Sequence, residues 1–468
     1  MVTITRAAIE ELIDRIQQLY LSDDIPWVVG YSGGKDSSAT LQLVWTAIEA
    51  LPVESRRKPI HVISTDTLVE SPVVARWVNR SLENIEAAAE SRNLPFQAHR
   101  LTPKITDTYW VNLIGRGYPA PRHLFRWCTV RLKIEPSNQF IRSVIGKHGE
   151  AIVVLGTRKA ESSIRANVMR RYESKRIRDW LSPNASLQNS YVFSPIEDWS
   201  NDDVWVYLMQ VQNPWGHSNK ELLSMYKGAS IDNDCPLVLD TNTPSCGNSR
   251  FGCWVCTLVD EDKSMKAMIM NDEQKMWMMP LLELRNEIGK LDDRDRRDFR
   301  KMHGSILIHK GKAVHGPYKK EWREYWLRRL LEVEEEVRHL APPEFSDLRL
   351  ITEEELREIR RIWVLEKHEF EDSLPAIYEE VKGRPYDLGD DFLGGVFGRR
   401  EWEILKELCG EDELFFELQT RLLDIQQRSV NFALRTGIIA EMENQIRRCY
   451  YRDEEDAVRF HSEMGGTV

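Results

Sequence analysis

The stretch Val28-Val29-Gly30-Tyr31-Ser32-Gly33-Gly34-Lys35-Asp36-Ser37-Ser38, residues 28–38, decides the fold. A short apolar run leads into a loop of glycines and hydroxyl residues, and a sequence typical of a helix follows at once. Bare backbone N–H groups and a helix N-terminus then point at one place, which suits a bound polyphosphate. The longer spacer and the Gly-Lys-Ser/Thr ending of the Walker loop are both missing. The stretch therefore predicts a phosphate loop of another kind, with a glycine-rich turn that binds nothing as the alternative.

Strands and helices alternate around this loop. Apolar runs at 27–31, 60–66, 96–101 and 151–156 predict strands, and helical patterns follow the first two of them, over 36–50 and 73–92. Such alternation is typical of a doubly wound parallel sheet of the α/β class. Ligands of these sheets bind at the carboxyl ends of the strands. We therefore expect the loops 32–38, 64–70 and 156–165 to share one crevice.

Bulk properties narrow the class of protein. The chain of 468 residues has no apolar run that approaches a membrane span, and its N-terminal sequence lacks the basic and apolar regions of a signal peptide. We therefore expect a cytoplasmic protein with no membrane partner. The formal net charge of −10 gives no general attraction to nucleic acid, so such a partner has to meet a local basic surface. The stretch that contains Arg165, Arg170 and Arg171 is the candidate, and a solvated helix face is the alternative.

Four of the seven cysteines crowd between positions 235 and 256. The spacing Cys246-x6-Cys253-x2-Cys256 is typical of zinc or iron–sulfur binding. Three cysteines need a fourth ligand, for which Cys128 is the first candidate and Cys235 the second. Spacing alone slightly favours zinc, and a purely structural zinc site stays an alternative.

The composition changes after about residue 260, where methionine-rich and then charged helical sequence begins. We predict a phosphate-loop domain over 1–230, a cysteine-rich cluster-binding segment over 231–260 and a mainly helical region over 261–468. Within the last region, the sequence predicts a hairpin near 306–314 that turns at Lys310-Gly311.

Several motifs together resemble one family. They are Ser32–Ser37, the strand end at 64–67, the segment around Cys128, Leu155–Arg158 and Pro195-Ile196-x-x-Trp199-x-x-x-Asp203-Val204-Trp205. These motifs resemble the phosphoadenosine-phosphosulfate reductase superfamily, which shares the PP-loop of the ATP pyrophosphatases. Within it, the segment Asp66–Glu70 and the Cys246–Cys256 block are similar to the sulfurtransferases of bacterial DNA phosphorothioation.

The resemblance implies a fold like that of the adenine nucleotide α-hydrolases, with a PP-loop ATP pyrophosphatase domain over 1–230. It implies cleavage of ATP to AMP and pyrophosphate, so that sulfur can replace a non-bridging oxygen of the DNA backbone. It also implies a [4Fe–4S] cluster, a cysteine desulfurase as sulfur donor and the other proteins of the same phosphorothioation system as partners.

Roles for individual residues follow from this chemistry. Lys35 is expected to neutralise charge at the α/β bridging oxygen of ATP, Asp36 to hold Mg²⁺, and Cys235 to carry a persulfide if it is not a ligand. The expected contacts form three groups: ATP with Ser32, Gly33, Gly34, Lys35, Asp36, Ser37, Ser38, Ser64, Asp66, Gly156 and Arg158; the [4Fe–4S] cluster with Cys128, Cys246, Cys253 and Cys256; and DNA with Arg122, Arg126, Arg165, Arg170 and Arg171.

Other functions remain open at this point. A sulfonucleotide reductase is disfavoured, because the last residues Gly465–Val468 lack the Glu-Cys-Gly-type segment and Cys128-Thr129 stands where iron–sulfur reductases have a Cys-Cys pair. A tRNA thiolase is the second enzymatic alternative, although no RNA-binding module is recognisable. A non-catalytic nucleotide-sensing scaffold in a DNA-protection complex is the non-enzymatic alternative.

Overall fold

The computed structural model describes residues 4–176, 178–229, 251–387, 389, 399–429 and 437–463. Contacts between residues divide the chain into two compact units. The first unit contains Met1–Pro103 and Arg126–Leu282, and the second contains Lys104–Phe125 and Glu283–Val468. The predicted boundaries at 230 and 260 stay predictions, since the segment 230–250 lies outside the described residues.

The first unit is built on a six-stranded sheet with the strand order β3-β2-β1-β4-β6-β5. All neighbouring strands of this sheet run parallel except the edge strand β5, which is antiparallel to β6. This arrangement confirms the predicted doubly wound α/β class. The strands are β1 (Trp27–Gly30), β2 (Ile60–Thr65), β3 (Phe96–Leu101), β4 (Ala151–Val154), β5 (Ser182–Pro183) and β6 (Ser190–Phe193).

Helices cover both faces of this sheet. Alternate residues of a strand point to opposite faces, so Trp27 and Val29 of β1 belong to one buried cluster while Val28 belongs to another. The described helices of this unit are α1 (Arg6–Leu21), α2 (Lys35–Glu49), α3 (Pro72–Ser91), α4 (Glu135–His148), α5 (Ser163–Glu173), α6 (Asn201–Gln210), α7 (Asn219–Gly228) and α8 (Lys263–Asn271). The boundary between the two units falls within the next helix, α9 (Met279–Ile288).

The second unit is mainly helical. Its helices are α10 (Lys320–Leu340), α11 (Glu353–Arg361), α12 (Ser373–Lys382), α13 (Arg399–Cys409), α14 (Glu413–Ser429), α15 (Ile438–Arg448) and α16 (Glu454–Glu463). A hairpin of β7 (Ile308–His309) and β8 (Lys312–Ala313) turns at Lys310 and Gly311, whose φ angles are 50° and 73°. None of the described helices combines the length and apolarity needed to cross a bilayer.

The charged cluster of the second unit surrounds one carboxylate. Glu417 of α14 contacts three arginines at 3.0–3.1 Å: Arg300, Arg421 and Arg448. These side chains are largely buried, and the arginines lower the pKa of Glu417 to about 2 even though burial opposes that shift. We name this group the Glu417 cluster.

Candidate functional site

The predicted phosphate loop joins β1 to α2 at residues 31–34. Gly33 has a φ of 72°, a conformation that favours glycine. Gly34 caps α2 without a side-chain hydrogen bond, so no capping side chain covers the N–H groups of Asp36 and Ser37 in the first helical turn. The hydroxyl of Ser37 braces the loop, since it accepts from the Ser32 N–H at 3.2 Å and donates to the Gly34 carbonyl at 3.0 Å.

A cavity of about 1120 Å³ opens beside this loop. It lies where the strand order reverses, because β1 has β2 on one side and β4 on the other. Ligand pockets are typically about 300–1,000 Å³, so the space suffices for a nucleotide triphosphate. Nine of the predicted ATP residues line it: Ser32, Gly34, Lys35, Asp36, Ser37, Ser64, Asp66, Gly156 and Arg158. Of the other two, Gly33 is the turn residue of the loop and Ser38 lies buried in the first turn of α2.

Asp36 has both carboxylate oxygens paired. The Lys35 ammonium lies 2.9 Å from Oδ2, and Nε of Arg158 lies 2.7 Å from Oδ1. Arg158 is only 3% exposed and also donates to the Trp199 carbonyl at 3.2 Å. Each oxygen of Asp36 therefore has one cationic partner, and its remaining lone pairs are the acceptor sites that a metal ion would use.

The loop after β4 approaches the start of α2 very closely. A Cβ atom on Gly156 would lie 2.7 Å from the Asp36 carbonyl oxygen, a contact that real side chains do not make. Glycine at position 156 is therefore required for the two loops to meet. This contact brings Arg158 to the phosphate loop.

Asp66 is fixed at the end of β2. Its Oδ2 accepts from Arg100 of β3 at 2.9 Å, and its Oδ1 accepts from the Leu68 N–H at 2.8 Å. Leu68 adopts a φ of 63°, which turns the chain sharply after the strand. This turn carries Glu70 to the edge of the cavity.

Tyr226 of α7 was not predicted as a site residue. Its hydroxyl accepts from the Lys35 backbone N–H at 3.3 Å, and it also lines the cavity. Burial raises the pKa of Tyr226, so the phenol stays neutral. No local sequence signal identifies it, because α7 lies 191 residues along the chain from Lys35.

The cysteine segment contacts the turn after β2. Cys253 Sγ lies 3.3 Å from the Thr67 hydroxyl and 3.6 Å from Oε1 of Glu70. Nζ of Lys133 lies 3.3 Å from the same carboxylate, and both Glu70 and Lys133 line the cavity. Burial raises the pKa of Cys253 to about 12, and the charge of Glu70 acts in the same direction. The sequence motif contained Glu70, but its contact with a cysteine 183 residues away is visible only in the structure.

Three predicted cluster ligands lie in the described residues. Cys256 follows Cys253 in one turn, with its N–H donating to the Cys253 carbonyl at 3.1 Å. Burial raises the pKa of Cys128, and the nearby Cys256 adds to the shift. Thiols are the donors that iron–sulfur clusters use, yet the described residues contain no group of three side chains arranged around a metal position. Cys235 and Cys246 lie outside the described residues, so we derive no step through a cluster.

The predicted DNA-binding arginines occupy different environments. Arg165 lines the cavity and pairs with Glu161, whereas Arg170 and Arg171 are exposed at the end of α5. Arg126 is exposed in the first unit. Arg122 belongs to the second unit, where it pairs with the buried Asp293 at 2.8 Å.

Comparisons with known proteins cover the part of the chain that contains this site. Residues 26–258 match the family model of the phosphoadenosine phosphosulfate reductase domain. An uncharacterized protein of Methanocaldococcus jannaschii is 26% identical over 262 residues, which are 56% of this chain and 42% of that protein. The chain thus spans less than half the length of this relative.

Solved structures with some similarity include two of interest. The phosphoadenylyl-sulfate reductase of Candida auris is 14% identical, with a TM-score of 0.26 over 45% of this chain and 88% of that one. The U34-tRNA thiolase NcsA of Methanococcus maripaludis, solved with its [4Fe–4S] cluster, is 15% identical, with a TM-score of 0.28 over 52% and 77% of the chains. The match of the family model and the phosphate loop at the strand-order reversal identify residues 26–258 as a phosphoadenosine phosphosulfate reductase-like domain of the PP-loop ATP pyrophosphatase superfamily.

Proposed function

We propose that the protein is a sulfurtransferase of the DndC type, which activates a DNA backbone phosphate with ATP and replaces one of its oxygens by sulfur. One observation carries this proposal: Glu70 lines the nucleotide-sized cavity and also contacts Cys253 at 3.6 Å. A thiol segment beside a PP-loop cavity suits a reaction in which an adenylylated intermediate meets sulfur.

The reaction has two displacements. A non-bridging oxygen of the DNA phosphate attacks the α-phosphorus of ATP, and pyrophosphate leaves. A cysteine desulfurase supplies persulfide sulfur, which two thiols reduce to sulfide while they are oxidised to a disulfide. The sulfide then attacks the activated DNA phosphorus, and AMP leaves with the original oxygen. The first step makes a poor leaving group into a good one.

The residues of the loop serve the first displacement. The N–H groups at the start of α2 and the hydroxyls of Ser32 and Ser37 bind the β and γ phosphates. Lys35 leaves Asp36 and neutralises charge on the α/β bridging oxygen, and the released carboxylate oxygen becomes available to Mg²⁺. Removal of such a contact costs about 3–4 kcal/mol of barrier, so Lys35→Ala is expected to lower turnover at least a hundredfold.

The cysteine residues and the neighbouring Lys133 serve the second displacement. Lys133 lines the cavity and pairs with the Glu70 carboxylate at 3.3 Å, so its ammonium is placed to attract anionic sulfur. Cys128, Cys246, Cys253 and Cys256 are the proposed ligands of a [4Fe–4S] cluster, whose irons would supply a binding place for sulfide. Cys235 is either a further ligand or a persulfide carrier.

Helix α5 supports DNA as the substrate. It begins next to the cavity, and only Ala166 of its eleven residues is buried. Arg170 and Arg171 are exposed on it together with Ile164, which is 77% exposed. Contacts between these arginines and phosphates would make DNA binding fall with added salt. The other proteins of the Dnd system are the proposed partners.

The test is ATP–pyrophosphate exchange by the full chain, prepared anaerobically. We expect exchange that duplex DNA stimulates and tRNA does not. Lys35→Ala should abolish it, whereas Lys147→Ala, on the exposed surface of α4, should leave it unchanged.

Other outcomes point to the alternatives. Stimulation by tRNA alone would make the protein a tRNA thiolase, and reduction of a sulfonucleotide would make it a reductase. No release of pyrophosphate with any acceptor, or release of only ADP and phosphate, would contradict the proposal and favour a nucleotide-sensing scaffold.

A further inference from the structure

The carbonyl of Gly33 is held from behind the phosphate loop. The indole N–H of Trp77, on α3, donates to the Gly33 oxygen at 3.0 Å. The same helix packs against the loop closely enough that a Cβ on Gly33 would lie 2.6 Å from Val78. The loop therefore rests on α3 through both a hydrogen bond and van der Waals contact.

Trp77 is itself held in place by a buried histidine. The His217 ring stacks on the indole with 4.2 Å between centroids and 17° between planes. His217 is 4% exposed, and its Nδ1 lies 2.6 Å from the Ser81 hydroxyl. Tyr31, the first residue of the loop, also hydrogen-bonds with Ser81. A chain of contacts thus fixes the indole relative to the loop.

This arrangement determines where the next amide points. A trans peptide is planar, so the Gly34 N–H points away from the side on which the Gly33 carbonyl lies. Gly34 lines the cavity. Glycine at both positions leaves this peptide free to rotate, and the opposite orientation would turn a carbonyl dipole toward bound phosphate. Without the hydrogen bond from the Trp77 indole, the Gly33 carbonyl would lose the contact that opposes this unfavourable orientation.

We propose that Trp77 is a positioning residue that fixes the Gly33–Gly34 peptide so that its N–H faces the β and γ phosphates of the nucleotide. The inference deepens the proposed function and rests on it in one respect, the binding of a polyphosphate in the cavity. Trp77 acts through the backbone, so its loss should affect the pyrophosphate end of the ligand and not the adenosine end.

The experiment is calorimetric titration of the full chain with ATP, pyrophosphate and AMP. Trp77→Phe keeps an aromatic ring for His217 but removes the donor. We expect this variant to bind ATP and pyrophosphate about five- to tenfold more weakly, as one lost hydrogen bond predicts, with AMP affinity unchanged. Trp45→Phe is the matched control, since the indole N–H of Trp45 is buried without a hydrogen-bond partner among the described residues.

Each outcome decides the inference. The positioning role would be refuted if Trp77→Phe and wild type bound pyrophosphate equally well, or if the variant lost equal affinity for pyrophosphate and AMP. In either case, ATP binding by the wild-type protein would leave the proposed function standing. A wild-type protein that binds neither ATP nor pyrophosphate would overturn both. If Trp77→Phe unfolds more readily than Trp45→Phe, His217→Leu removes the stacking partner instead, and it should weaken pyrophosphate binding and spare AMP.

Discussion

Replacement of Arg158 by methionine tests how the loop after β4 is tied to the phosphate loop. Methionine keeps an unbranched stem but removes the ion pair with Asp36 at 2.7 Å and the hydrogen bond to the Trp199 carbonyl. Breaking a buried pair costs about 3–5 kcal/mol. The Asp36 side chain is 24% exposed and keeps Lys35 at 2.9 Å, so we reduce the expected loss to about 2–3 kcal/mol of unfolding free energy.

The assay is urea unfolding of the nucleotide-free protein, with Lys159→Met as the matched control. Lys159 is the next residue and pairs with Glu173 and Asp198, of which Asp198 is 72% exposed. Exposed ion pairs contribute about 0–1 kcal/mol, so the unfolding free energy of the control variant should fall by no more than about 1 kcal/mol. In a double-mutant cycle, Arg158→Met and Asp36→Asn should couple by about 2 kcal/mol. Equal losses in Arg158→Met and Lys159→Met, or strictly additive losses in the cycle, would refute the reasoning.

Three further predictions concern other contacts. Gly156→Ala should destabilise the protein by about 1–3 kcal/mol, because its Cβ meets the Asp36 carbonyl at 2.7 Å, and calorimetry should show weaker ATP binding. Burial and the neighbouring His99 lower the pKa of His61 from 6.5 to about 4. Between these two pH values the unfolded chain binds more protons than the folded protein, so the stability falls as the pH drops from 6.5 to 4. The loss should be about 1–2 kcal/mol, measured as the difference in urea unfolding between wild type and His61→Gln at pH 7 and pH 4.5, and identical pH profiles would contradict it. Glu417→Gln should cost the second unit about 3 kcal/mol, because three arginines then remain close together without their shared carboxylate; hydrogen exchange of α14 at the wild-type rate would show the cluster to be dispensable.

The phosphate loop and its surroundings could be predicted from sequence because they are local. Buried parallel strands such as β1, β2 and β4 appear as apolar runs, and the loops that follow them must meet at one edge of the sheet. Strand β6 escaped prediction because Ser190–Phe193 has only four residues, too few for a recognisable apolar run or alternation.

Contacts between distant segments could not be predicted in the same way. Glu70 and Cys253 lie 183 residues apart, and Trp77 reaches Gly33 across 44 residues. Nothing in the local pattern of either partner specifies the other, since each depends on how α3 and the cysteine segment pack against the sheet. The side chains that support the candidate site are therefore less visible in sequence than the predicted phosphate loop itself.

The segment Lys104–Phe125 interrupts the reductase-like domain in sequence but belongs to the same unit as the residues after Glu283. Within that unit the indole N–H of Trp110 donates to the Leu350 carbonyl at 2.7 Å, and the indole of Trp363 donates to the Ile114 carbonyl at 3.0 Å. A fragment truncated near residue 282 would strip these groups of their partners and open Trp110, now 1% exposed, to water. Recombination that exchanges the reductase-like unit alone would therefore break these contacts, so Lys104–Phe125 has to stay with the residues from Glu283 onward.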